Sequence, residues 1–133
     1  MQKKVYTFLI LGIVAFLALA ACKKSGGEEN LKVETTPTVL NNHVESPAPG
    51  PDFPLLVSIK SKMPAGGVKI DVVARQEGVS TPFFTESRNT TSTDNNFSIT
   101  NTPKTVSCIV EITVTSNSNS GNTFTGTYRY SRK

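Results

Sequence analysis

From Leu55 onward the apolar positions of this chain fall at every second residue, in short runs separated by turn-forming residues. Leu55, Val57 and Ile59 alternate with Leu56, Ser58 and Lys60. Beyond Pro64 and the Gly66-Gly67 pair, Val68, Ile70, Val72 and Ala74 alternate with Lys69, Asp71, Val73 and Arg75. A period of two places each set on one face of a strand, so both runs predict half-buried strands with one oily face. A third run covers residues 83–87 and a fourth holds Phe97 and Ile99, with the polar stretch 88–95 between them. Asn101-Thr102-Pro103 breaks the chain ahead of the longest alternation. In that run Val106, Cys108, Val110, Ile112 and Val114 share one face, and Ser107, Ile109, Glu111, Thr113 and Thr115 the other. Past a Ser/Asn loop at 116–122, Phe124, Gly126, Tyr128 and Tyr130 alternate with Thr123, Thr125, Thr127 and Arg129. No window after residue 52 carries a 3.6 period. Six runs at this spacing predict an all-β antiparallel sandwich of six to seven strands over residues 52–133.

The first 22 residues follow a different rule. Lys3 and Lys4 precede an apolar run at 5–19 of secretory-leader length, too short for a comfortable membrane span, and small residues follow it. The ending Leu19-Ala20-Ala21-Cys22 resembles the bacterial lipobox, in which a branched residue and two small residues precede an obligatory Cys. That resemblance implies cleavage between Ala21 and Cys22, acylation of Cys22, and a lipid anchor in the cell envelope. Two or more acyl chains, at about 0.8 kcal/mol per buried CH₂, make a stable anchor where one chain makes a marginal one. Lys23, standing where an Asp would retain such proteins in the inner membrane, resembles the outer-membrane sorting pattern.

Residues 22–51 then read as a lipidated Cys and a flexible tether, since positions 23–51 hold four Pro, three Gly and few large apolar groups. As a coil, this stretch would reach about 30 Å on average. If the first two strands of the 52–133 domain form a hairpin, the tether joins at the end carrying residues 76–81, which then faces the membrane.

Charge and chemistry narrow the function. Loss of Lys3 and Lys4 with the leader leaves twelve bases against ten acids. That surplus is too small and too scattered for a nucleic-acid binder. The single His, His43, lies in the predicted tether with nothing to orient it, and Cys108 lies on the apolar face of a strand. The residues therefore point to no catalytic site, no metal site and no cofactor. Binding surfaces are the better expectation. Candidates are Phe83-Phe84, of which an alternating strand must turn one ring outward, and the polar loops bearing Asp94, Asn95, Asn96, Asn117 and Asn119.

Residues 96–130 also resemble the fibronectin type III branch of immunoglobulin-like sandwiches, in their run of strand, Pro-containing corner, long strand, Gly-containing loop and final strand. The family's core Trp and corner Tyr are missing. A sandwich fold hosts many unrelated roles. The expectation is a non-catalytic interaction module that binds an envelope protein or an extracellular polymer, the alternative being a structural accessory subunit of an outer-membrane or secretion assembly.

Overall fold

The computed structural model describes residues 27–133; the leader, the Ala21-Cys22 junction and Lys23-Lys24 lie outside them. Seven strands form in the described residues: β1 (Val33–Thr36), β2 (Phe53–Ile59), β3 (Val68–Gln76), β4 (Phe84–Thr90), β5 (Asp94–Ile99), β6 (Ser107–Ser116) and β7 (Thr123–Ser131). They make two antiparallel sheets, one ordered β1-β2-β5 and the other β4-β3-β6-β7. Helical structure among these residues is limited to one 3₁₀ turn at Leu40–Asn42. The result is a small all-β sandwich, compatible with an immunoglobulin-like fold.

The period of two decides the register. Val68, Ile70, Val72 and Ala74 of β3 stand opposite Ser116, Val114, Ile112 and Val110 of β6, and these eight residues all face the core. Slipping β3 by one residue would bury Asp71 and Arg75 in place of the apolar set, and slipping β6 would bury Glu111. From the other sheet, Leu55, Val57, Ile59, Phe97 and Ile99 close the core, and Tyr128 and Tyr130 complete it from β7. Cys108 is fully buried among them, as its place in the β6 alternation predicts. On the outer face, Arg75 pairs with Glu111 at 2.7 Å and Lys69 with Asp71 at 3.7 Å. Such exposed pairs contribute well under about 1 kcal/mol each.

The strand directions gather the connections at two ends. Residues 60–67, 91–93 and 117–122 lie at one, here the Gly67 end; residues 77–83, 100–106 and the C-terminus lie at the other, the Gly78 end. Gly67 is required where it stands, because its φ is +74° and a Cβ there would sit 2.5 Å from the Thr90 carbonyl oxygen.

Two expectations are corrected here. Residues 27–51 are not a free tether: β1 is the outer strand of a sheet, with Val33, Thr35 and Thr36 opposite Ile59, Val57 and Leu56, and the chain after it follows β7. The low apolar content of this stretch is offset by long-range hydrogen bonds that local composition does not register. Because β1 is antiparallel to β2, the chain also arrives at the Gly67 end, opposite to the end that a β2–β3 hairpin alone implies.

Candidate functional site

A strap forms where β1 ends. At Thr36 the chain leaves β2, and residues 37–50 cross to the other sheet. There the Arg129 N–H donates to the His43 carbonyl (3.0 Å), and the Glu45 N–H donates to the Arg129 carbonyl (2.8 Å). Farther along, the Ala48 N–H donates to the Ser131 carbonyl (3.2 Å), and the Lys133 N–H to the Ala48 carbonyl (2.9 Å). The bridges run parallel to β7 and cover its edge. Val39 holds the start of the strap against β7, which has no side chain at Gly126; a Cβ there would lie 2.6 Å from Val39 Cγ2. The glycine that interrupts the Phe124–Tyr130 alternation is thus the seat of the strap.

The crossing leaves a gap. β1 accompanies β2 only as far as Leu56, so the Phe53–Leu55 part of β2 has no strand neighbour on that side among the described residues. Between it and the strap lies a cleft of about 380 Å³. Phe53, Leu55, Leu56, Ala48, Tyr128 and Tyr130 form most of its wall, and Glu45, Ser46, Thr36 and Asn96 contribute polar groups. The volume lies in the range of small-ligand and side-chain pockets. The rings are packed: the Phe53 and Tyr130 centroids are 4.8 Å apart at 58°, and those of Tyr128 and Tyr130 6.2 Å apart at 46°.

The two tyrosines differ in how their hydroxyls are used. Tyr130 Oη shares a 2.7 Å hydrogen bond with Thr102 Oγ1, itself buried, which closes the Gly78 end of the core. Burial raises the Tyr130 phenol, and the Thr102 bond partly offsets this, leaving it pushed up to about 12. Burial, then Tyr130, then Glu45 raise the Tyr128 phenol further, with no side-chain hydrogen bond to offset them. Tyr128 therefore stays a neutral hydroxyl on the cleft wall at any physiological pH. An apolar wall with one such hydroxyl suits an apolar group that carries a hydrogen-bond acceptor.

The residues singled out from sequence are scattered. Phe83 and Phe84 are both half-buried against the core, so neither ring makes an outward patch; Phe84 stands opposite Ala74 on the inner face, and the Phe83 N–H is taken by the Ala74 carbonyl. Asp94, Asn95 and Asn96 are not in a loop, because β4 runs on to Thr90 and β5 begins at Asp94. Asn95 faces the core and is 4% exposed, with Nδ2 donating to the Ser92 carbonyl at 2.9 Å. Asp94 accepts from Ser58 Oγ at 2.7 Å. Asn117 and Asn119 do lie in an exposed loop. There Asn117 Nδ2 donates to the Gly66 carbonyl and to Asn89 Oδ1, and Asn119 Oδ1 accepts from the Gly121 N–H. These contacts hold the loops in shape and gather no site. Of the seven, only Asn96 touches the cleft. Its aromatic wall was visible in the β7 alternation, but as core; the opening depends on where β1 stops.

Other chemistry is dispersed. His43, expected to be unoriented, is held by the strap with Nε2 2.7 Å from Glu45 Oε1. Burial raises the Cys108 thiol, whose contact is the Val106 carbonyl at 3.8 Å. At the Gly78 end the Ser107 hydroxyl, and after it the Arg129 guanidinium, hold the Glu77 carboxyl below its ordinary range. Among the described residues no three His, Cys, Asp or Glu gather as a metal site. In comparisons with known proteins, no family model matches the chain and no curated protein matches it.

Proposed function

We propose that the chain is a bacterial cell-envelope lipoprotein, anchored through an acylated Cys22 in the outer membrane, with a fibronectin type III-like domain that acts as a non-catalytic interaction module. Its contact site is the cleft between the strap and the Phe53–Leu55 part of β2. The partner is an envelope protein or an extracellular polymer that inserts an apolar group beside Tyr128. The observation that carries this reading is the cleft itself: an aromatic-walled opening into the core of a small sandwich, bordered by a stretch of β2 that β5 pairs on one side and no described strand pairs on the other. The strand order supports the family assignment. The anchor rests on the Leu19-Ala20-Ala21-Cys22 motif behind a charged and then apolar leader.

A structural accessory subunit would instead dock through a free sheet edge, and β4 is the longest one. That edge has less in its favour, because β4 turns Glu86 and Arg88 inward, a feature that protects edges from added strands. The test places a photoreactive phenylalanine at Leu56 or at Ser87 in the full-length chain in living cells. A discrete crosslinked partner from position 56, abolished when Ala48→Trp fills the cleft, is the expected result. Capture from position 87 that Ala48→Trp leaves intact would move the site to the β4 edge. Fatty-acid labelling lost on Cys22→Ala checks the anchor, and labelling that persists in that variant would remove it.

A further inference from the structure

The way the chain arrives decides which end of the sandwich can meet the lipid. Residues 27–32 run onto the Gly67 end and are fastened there by side chains. Asn122, 8% exposed, donates from Nδ2 to Glu28 Oε2 (2.8 Å) and to the Glu29 carbonyl (2.9 Å), while its Oδ1 accepts from the Leu31 N–H (2.9 Å). Ser116 Oγ donates to Glu28 Oε1 at 2.8 Å, and the Lys62 N–H to Glu29 Oε2 at 3.0 Å. The Lys32 N–H donates to Ser61 Oγ at 3.0 Å, and the Lys32 carbonyl accepts from Lys60 at 2.7 Å. Held by these bonds at Glu28, Glu29, Leu31 and Lys32, the chain is part of the sandwich from Glu28 on.

Only five residue steps separate Cys22 from Gly27. Whatever path they take, they span at most about 18 Å. The sandwich is longer than that: the ten residues of β6 cover about 30 Å. Some of the arm is also spent crossing the headgroup layer, about 5–7 Å per leaflet. An anchor attached at the Gly67 end therefore keeps that end within reach of the headgroups and cannot let the sandwich stand inverted on its Gly78 end.

We propose that the Gly67 end, formed by residues 60–67, 91–93 and 117–122, is an interaction surface for bilayer headgroups, with the sandwich upright on a short arm and the Gly78 end turned away. This rests on the acylated Cys22 of the preceding section. The composition of that end fits headgroups rather than hydrocarbon. Thr91, Ser92, Asn117 and Ser118 are exposed. Lys32 and Lys62 are exposed, and among the described residues neither ammonium group has a carboxylate oxygen within 4 Å. Among the described residues the large apolar side chains that are exposed, Leu40, Val44 and Val79, lie on the strap and in the β3–β4 turn.

The test uses the full-length acylated protein in phosphatidylcholine vesicles that carry a nitroxide on the headgroup. Fluorophores are attached at Thr91→Cys or Asn119→Cys at one end, and at Val79→Cys or Lys104→Cys at the other, each in a Cys108→Val background with unchanged circular dichroism. Quenching several-fold stronger at 91 and 119 than at 79 and 104 is expected. Equal or inverted quenching on vesicle-bound, acylated protein would overturn the orientation and leave the anchor standing. A mature chain without lipid mass that does not float with vesicles would overturn both. Inserting about 30 Gly and Ser residues between Ser25 and Gly26 adds roughly 30 Å of average reach and is expected to level the four positions. Quenching still confined to 91 and 119 in that variant would overturn arm length as the cause.

Discussion

The two long sides of the sandwich close the same gap by opposite means. Where β4 faces β5, side chains fill it: the Arg88 guanidinium lies 4.1 Å over the Phe97 ring, pairs with Glu86 at 2.6 Å and donates to the Asn96 carbonyl at 2.9 Å. Where β7 faces β1, the backbone of the strap covers the edge and leaves a cleft of about 380 Å³. A side chain can reach into the space between sheets and find its partners there. A backbone must pair its own N–H and C=O groups first. The strap therefore follows β7 and stands away from β2, and the opening is what that choice leaves.

The sharpest break of this comparison is on the filled side. Phe97→Ala removes the ring beneath Arg88 and is expected to cost about 3–5 kcal/mol, read as a lower urea midpoint; a loss below about 1 kcal/mol would mean that the ring does not close that side. On the strap side, Gly126→Ala drives a methyl group into Val39 and should cost about 1–3 kcal/mol. Combined with Val39→Gly, which removes the Cβ 2.8 Å away along with both methyl groups, the cost of Gly126→Ala should largely vanish, whereas additive losses in the double variant would separate the two residues. Arg88→Ala should cost about 1–2 kcal/mol, from the contact over the ring and the charged hydrogen bonds of a half-exposed guanidinium. Arg88→Lys should recover part of it, since it keeps the charge and loses the fork.

The smallest effect is a pH dependence confined to the cleft side. A free phenol titrates near pH 10, and the folded Tyr130 is held up to about 12, with Tyr128 higher still. Above pH 10 the unfolded chain therefore binds fewer protons than the folded one, and stability falls as pH rises through this range. Thermal unfolding between pH 9 and 12 should show the decline, and the Tyr128→Phe/Tyr130→Phe pair should flatten it. A decline unchanged in the double variant would place the titrating groups elsewhere.

Five of the seven strands were legible because each buries an apolar face and a period of two survives there, while β4, whose inward sites are Phe84, Glu86 and Arg88, showed only as an irregular run at 83–87. β1 was not legible. Val33–Thr36 is too short to show a period, and Pro37, Pro47, Pro49 and Pro51 after it read as a linker. What orders this stretch is the ladder to β2, the packing of Leu31, Val33 and Val39 on the core, and hydrogen-bond partners on Asn122, Arg129 and Ser131, none of which local composition registers. The polar positions taken for loops misled for a related reason. Asn95 occupies an inward site of β5 because the Ser92 carbonyl is at hand to satisfy it, and Arg88 occupies an inward site of β4 because Phe97 and Glu86 are. A buried polar residue is legible only together with its partner, and the partner of Arg88 on the opposite sheet comes from another strand.

The clasp between Glu28 and Asn122 also sets an order in time. The two residues are 94 positions apart, and the seats of the strap, Gly126, Arg129 and Ser131, come later still. Synthesis delivers Glu28 among the first residues of the domain and its partners among the last. β1 can pair with β2 early, but the Glu28 clasp and the strap must wait for β7, and no partial chain that lacks it can close the fold. Loss of the last dozen residues would thus release the opposite terminus and open to proteolysis a stretch of chain that the truncation never touched.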